Sequence, residues 1–95
     1  MARAFLEITL NVAQENRSKT GEIYTKYKSA FLSGVPGAKS KDLLSRPEDV
    51  QVLHGFDTTQ NAESYLKSQL FQNDVVGELK PLLGAAPEIR IYECV

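Results

Sequence analysis

The sequence predicts one α+β domain of β-α-β-β-α-β order, and three observations predict it. Both ends of the chain alternate as strands do, two internal stretches carry helical spacing, and two short strand-like runs flank a tight turn between them. In that order the last strand lies beside the first, and both helices cover the same sheet face. A length of 95 residues suits a single domain over 1–95 with one modest core.

Ala4 to Ala13 reads as the first strand. Leu6, Ile8, Leu10 and Val12 alternate with Glu7, Thr9 and Asn11, so the strand has two unlike faces. The polar run Gln14 to Ser18 connects it to a helix over Lys19 to Ser33, where Ile23, Tyr27, Ala30 and Phe31 share one face. Gly34 stops that helix and Pro36-Gly37 turns the chain. Ala38 to Arg46 reads as a weaker strand, placed at the sheet edge by Lys39 and Lys41. Arg46-Pro47-Glu48-Asp49 is a tight turn, and Val50 to Phe56 a short apolar strand.

Asp57, Thr58 and Thr59 are candidate caps for the second helix, with Gln60 at capping-box distance from Asp57. That helix is expected to bury Ala62, Tyr65 and Leu66, then Gln69 or Leu70. A further helical stretch from about Asn73 presents Val75, Val76, Leu79, Leu82 and Leu83. Pro81 forces a break or a fresh turn just before it, because a proline inside a continuous helix costs about 3 kcal/mol. Glu88 to Val95 alternates again as the last strand.

Composition excludes several classes. The formal net charge is −1, so no global field draws nucleic acid or an anionic membrane. The basic groups Arg17, Lys19, Lys26 and Lys28 are interleaved with Glu15 and Glu22, as on a solvated helix face. Cys94 stands alone and no Cys/His cluster has zinc spacing, so neither a disulfide nor a metal is expected. The start of the chain lacks a signal-peptide core and no stretch approaches the ~20 apolar residues of a membrane span. A cytoplasmic location, with neither nucleic acid nor membrane as partner, is the expectation.

Two helices cover one face of a four-stranded sheet and leave the other. On that second face the first strand offers Glu7, Thr9 and Asn11, while the later strands are apolar on both sides: Val50, Val52 and Phe56 oppose Leu53, and Ile89 and Ile91 oppose Tyr92. A mixed face of this kind predicts a homodimer packed sheet to sheet, with polar groups around an internal cavity.

The Val35-Pro36-Gly37 turn, the Gly55-Phe56-Asp57-Thr58 step, the run from Ala62 to Phe71, Val75-Val76 and Leu79-Lys80-Pro81-Leu82 together carry a resemblance. The chain resembles the dimeric α+β barrel superfamily of ferredoxin-like topology, above all the antibiotic-biosynthesis-monooxygenase-like and stress-responsive A/B-barrel proteins. The likeness spans nearly the whole chain and rests on structural motifs. It implies the fold and the dimer, and a cofactor-free oxygenase as one possible activity. Many oxygenase-like relatives place a His or Trp on the second helix before a Ser-x-x-Phe step; this chain has Tyr65 there, followed by Ser68 and Phe71. The His that haem-degrading relatives need falls near Asn73, Asp74 and Val75 here, and there is no Trp, so haem degradation is not expected.

His54, the one histidine, is a candidate base, because imidazole titrates near neutral pH; as a strand residue it is equally at home on the helix side. Glu7 is the alternative base, with Arg90 on the neighbouring strand to neutralise it. Tyr65, Asn11, Thr9, Arg90 and Tyr92 are the candidate ligand contacts, although an aromatic at a buried helical spacing such as Tyr65 also serves simply as core. The resulting expectation is a small dimeric protein that binds an apolar or aromatic molecule without a cofactor and oxygenates it. The alternative is a non-catalytic ligand-binding or stress-response protein.

Overall fold

The computed structural model describes residues 2–95. They form the strands β1 (Ala4–Leu10), β2 (Ala38–Ser45), β3 (Val50–Phe56) and β4 (Glu88–Glu93) with the helices α1 (Arg17–Gly34) and α2 (Thr59–Leu66). The sheet order is β2-β3-β1-β4, antiparallel throughout, which is the ferredoxin-like arrangement. β1 is central because both its faces are useful: Ala4, Leu6, Ile8 and Leu10 are buried beneath the helices, and Phe5, Glu7 and Thr9 are half-buried on the open side.

Strand alternation is carried across the sheet by register. Leu6 pairs with His54 and Ile91, and Ile8 with Val52 and Ile89, so all of these face the helices. On the open face Glu7 lies between Leu53 and Arg90, and Phe5 between Gly55 and Tyr92. That face is therefore mixed, as expected, with Leu44 and Tyr92 largely exposed.

Several boundaries differ from expectation. β1 ends at Leu10, and Val12 makes only an isolated bridge to Leu83, with the Gly84 N–H donating to the Asn11 carbonyl at 2.9 Å. In α1 Ile23 and Phe31 are buried, but Ala30 is exposed and Thr20 takes the inner face instead. Its neighbour Arg17 explains how the chain is tied at this end: the guanidinium donates to the carbonyls of Arg46 at 2.8 Å and Pro47 at 3.2 Å, holding the turn between β2 and β3. That turn closes on itself through the Arg46 N–H and the Asp49 carbonyl at 3.0 Å.

The step into α2 is set by Thr58, whose side chain accepts from the Asn61 N–H at 3.1 Å; the expected Asp57–Gln60 capping pair is not used. Asp57 instead accepts from the Asn61 amide at 2.8 Å and packs over Gly37. Gly37 sits at φ +79, a conformation that favours glycine, and any β-carbon there would collide with Asp57 and Asn61.

After α2 the Ser68 hydroxyl caps a short helical turn, α3 (Gln69–Phe71), which runs directly into a π-helical segment, Gln72–Leu79. A 3₁₀ turn over Lys80–Leu82 begins there, with Pro81 in its first positions where no helical N–H is needed. The break before Pro81 is thus realised as a change of helix type. Phe71, Val75 and Leu79 are buried four apart, whereas Val76 is exposed and Gln69 faces solvent. Asp74, a charged residue, is buried with them.

Candidate functional site

β2 is an edge strand, but the charge that signalled an edge does not all face water. Lys39 is exposed; Lys41 lies opposite His54 in register and points under the helices, where its side chain is 2% exposed. A register shift between Ala38 and Ser40 separates the two lysines from simple alternation. Lys41 Nζ meets Asp74 Oδ2 at 3.0 Å, and the Asp74 side chain is likewise 2% exposed. The ammonium also lies 5.5 Å from the Phe31 ring centroid and 5.7 Å from that of Tyr24. A buried ion pair of this kind recovers its desolvation cost only when its remaining lone pairs are satisfied. Here they are not: Asp74 Oδ1 has no hydrogen-bond partner among the described residues. Burial raises the carboxyl pKa of Asp74 above its ordinary value, and Lys41 opposes that rise.

His54 is fully buried on the same side. Its Nδ1 lies 3.1 Å from the Leu6 carbonyl. A carbonyl only accepts, so Nδ1 carries the proton and Nε2 presents a lone pair. That Nε2 has no partner among the described residues. Burial, and then the positive charge of Lys41, push the His54 pKa down to about 3, so the imidazole is neutral through the physiological range.

Tyr65 completes the group. Its ring stands 5.4 Å from that of His54 and 5.1 Å from that of Phe31, with Phe56 and Phe71 against its other sides. Its hydroxyl is also buried without a partner among the described residues. Burial, and then the Asp74 carboxylate, push the phenol pKa up, so it is a hydroxyl donor and not a phenolate. His54, Lys41 and Asp74, with Thr20 and Tyr24, line an internal cavity of about 10 Å³. Outside it, Tyr65 lies at the base of a groove of about 550 Å³ between the end of α1 and α2, lined by Ala30, Val35, Pro36, Ser64, Ser68 and Leu70. That volume falls within the range of small-molecule sites.

The sheet divides the residues expected to form one site. His54 and Tyr65 meet on the helix side. Glu7, Thr9, Arg90 and Tyr92 lie together on the open face, and Asn11 is exposed beyond the end of β1. His54 and Glu7 therefore do not share a cavity within one chain. Arg90 stands opposite Glu7, but its ion pair is with Glu88 on its own strand. Lys41 and Asp74 were not singled out for chemistry by sequence. Parity with Leu43, which pairs with Val52, is the signal that turns Lys41 inward. No comparable signal marks Asp74.

No group of three or more His, Cys, Asp or Glu side chains placed to hold a metal ion occurs among the described residues. No helix there is long and apolar enough to cross a membrane. Cys94 is exposed, and its N–H donates to the Arg3 carbonyl at 2.8 Å at the sheet margin.

Fold and site together define a ferredoxin-like α+β domain with a polar group sealed between sheet and helices. No family model matches the chain, and no curated protein does. Solved structures match closely in shape. A conserved protein from Methanosarcina mazei Go1 superposes with a TM-score of 0.84 at 16% identity, covering 100% of this chain and 95% of that one. An antibiotic biosynthesis monooxygenase-like protein from Caulobacter crescentus CB15 gives 0.82 at 14%, covering 99% and 91%. A similarly described protein from Bordetella bronchiseptica gives 0.82 at 14%, covering 98% of each chain. At such identities the likeness is one of fold.

Proposed function

We propose that this chain binds an apolar, aromatic small molecule on the helix side of its sheet, as a homodimer joined through the open sheet face, and acts on it as a cofactor-independent monooxygenase-like enzyme. The observation that carries the reading is an apolar groove of about 550 Å³ lined by Tyr65, whose buried Oη is unpartnered, as are Nε2 of His54, against which Tyr65 packs, and Asp74 Oδ1 in the small cavity beside it. Each such atom costs about 1–3 kcal/mol of stability, and a ligand bearing hydroxyl groups satisfies them. The shared fold with antibiotic biosynthesis monooxygenase-like proteins supports the same class of chemistry.

The chemistry asks for a dry pocket, a group to take a proton from the substrate, and donors to hold the resulting anion; dioxygen supplies the oxidant. A neutral His54 accepts a hydrogen bond at Nε2 and Tyr65 donates one. Oxygen uptake with hydroquinone-type substrates tests the reading. Turnover that falls at least tenfold in His54→Ala is expected, and absence of turnover in the wild type contradicts it. Glu7→Gln is expected to leave turnover unchanged, since Glu7 lies on the other face of the sheet.

One observation favours a second reading, a non-catalytic ligand-binding or stress-response protein. The internal cavity of about 10 Å³ admits no more than a water-sized group as it stands. Tight binding of an aromatic ligand that is recovered unchanged under oxygen is the outcome that selects it.

A further inference from the structure

We infer that the groove takes its aromatic ligand as a neutral hydrogen-bond donor, a compound that enters with a hydroxyl or N–H group protonated, and that it discriminates against the corresponding anion. The inference rests on the reading that the groove binds an aromatic molecule, and adds the charge of that molecule and the direction of its hydrogen bonds. The groups concerned line the groove itself, outside the sealed cavity at Lys41 and His54.

The polar groups that meet an entering ligand are Asn61, Ser64 and Ser68, set along α2 and at the start of the turn that follows it. Ala30, Val35 and Pro36, from the end of α1 and its turn, supply an apolar wall. Hydrogen bonds within the chain have already used the donors of two of the three polar groups. Asn61 gives its amide N–H to the Asp57 carboxylate at 2.8 Å. A carboxylate only accepts, so the amide nitrogen is fixed on that side and Oδ1, an acceptor, is turned to the other. Ser68 donates its hydroxyl proton to the Tyr65 carbonyl at 2.6 Å and accepts from the Phe71 N–H at 3.2 Å, which leaves one lone pair and no proton. Ser64 is exposed, and its hydroxyl turns either way. Tyr65 Oη is sealed from solvent.

This edge is therefore rich in acceptors. A ligand O–H or N–H finds lone pairs at Asn61 and Ser68. An oxyanion finds the Ser64 proton alone, with lone pairs facing it and a negative charge behind Asn61. That charge is secure, because the hydrogen bond from Asn61 holds the Asp57 carboxyl below its ordinary range. Among the described residues no Lys, Arg or His lines the groove, so nothing offsets the cost of desolvating an anion against the apolar wall. Tyr65 is the one titratable residue that lines it, and burial and then the Asp74 carboxylate keep its phenol protonated.

A nitrophenol probe, whose neutral and ionised forms differ in absorbance, tests the inference together with its methyl ether, which has no proton to donate. Wild-type protein is expected to raise the apparent pKa of the bound probe by about one unit or more, a tenfold preference for the neutral form. The ether is expected to bind at least about tenfold more weakly than the neutral phenol. Ser64→Lys, at an exposed position, is expected to reverse the pKa shift by giving the phenolate a counter-charge, which also places the probe in the groove. Asn61→Leu is expected to bind phenol and ether alike. A probe pKa unchanged or lowered in the wild type, or an ether bound as tightly as the phenol, overturns the inference and leaves the aromatic-binding reading standing. A shift that Ser64→Lys leaves untouched overturns the assignment to this groove. A wild type that binds neither phenol nor ether removes both readings. If Asn61→Leu does not fold, the wild-type comparison and Ser64→Lys decide.

Discussion

His54 shows how one buried side chain can carry a structural cost while keeping a free acceptor atom. Its Nδ1–H is held by the Leu6 carbonyl, its Nε2 lone pair is unused, and its pKa is pushed down to about 3 from 6.5. The sign of the pH effect follows. Between those values the unfolded chain binds a proton that the folded chain refuses, so His54 contributes stability fully above pH 6.5 and loses it as pH falls toward 3. The raised pKa of Asp74 works the other way at the acid end, since the folded state then holds a proton the unfolded chain releases. Urea denaturation across pH is expected to show wild-type stability declining below pH 6.5 by up to roughly 1.4 kcal/mol per unit from this one group. His54→Gln should lack that component; identical pH profiles for the two proteins would contradict the buried neutral imidazole. At this scale the sequence was half legible. The alternation of Val50, Val52 and Phe56 carries His54 to the inner face, and the spacing of Ala62 and Tyr65 carries the phenol inward. Lys41 was hidden because a lysine on an edge strand reads as a solvated charge, and Asp74 because a lone carboxylate between polar Asn73 and apolar Val75 has no periodicity of its own.

Among the elements, the π-helical segment Gln72–Leu79 has the largest consequence. It brings Asp74 to Lys41 on β2, and Glu78 to Tyr27 and Lys26 on α1, so two polar ties fasten it over the sheet. π-helical turns are rare and concentrate at functional sites. The tie to Lys41 is the buried one, and its loss has a predictable form. Lys41→Met strands the Asp74 carboxylate and is expected to cost about 3–5 kcal/mol, whereas Lys41→Met combined with Asp74→Leu should return to within about 1 kcal/mol of wild type or exceed it. A double variant as unstable as the sum of its singles would contradict the pairing. The strands, α1 and the turn at Gly37 were legible, because alternation, helical spacing and Pro-Gly chemistry are local. The cap at Thr58 and the end of β1 at Leu10 were not, since neighbouring hydroxyls compete for a cap and the bridge from Val12 to Leu83 depends on a distant partner.

At the scale of the whole molecule the sheet separates two surfaces of different character. The helix side holds the polar group and the groove; the open side carries Phe5, Leu53, Leu44 and Tyr92 among Glu7, Thr9, Gln51 and Arg90. This mixture, too apolar for a solvated face and too polar for a core, supports the proposed dimer. Leu53→Lys with Leu44→Lys is expected to shift the protein to monomer in sedimentation at micromolar concentration, with the wild type sedimenting as a dimer. The sheet order was legible, because β-α-β-β-α-β order leaves few ways to pack two helices on one face. Which face the proposed chemistry uses was not, since the two expected bases, His54 and Glu7, fall on opposite sides of the sheet.

The central claim is that ligand chemistry belongs to the helix side of the sheet. Titration of ¹⁵N-labelled protein with a hydroquinone-type ligand, followed by amide chemical shifts, tests it most directly. Perturbations are expected to centre on Tyr65, His54, Lys41 and Asp74 and on the groove at Val35 and Ser68. Perturbations confined to Glu7, Thr9, Arg90 and Tyr92, with the helix side silent, would contradict it.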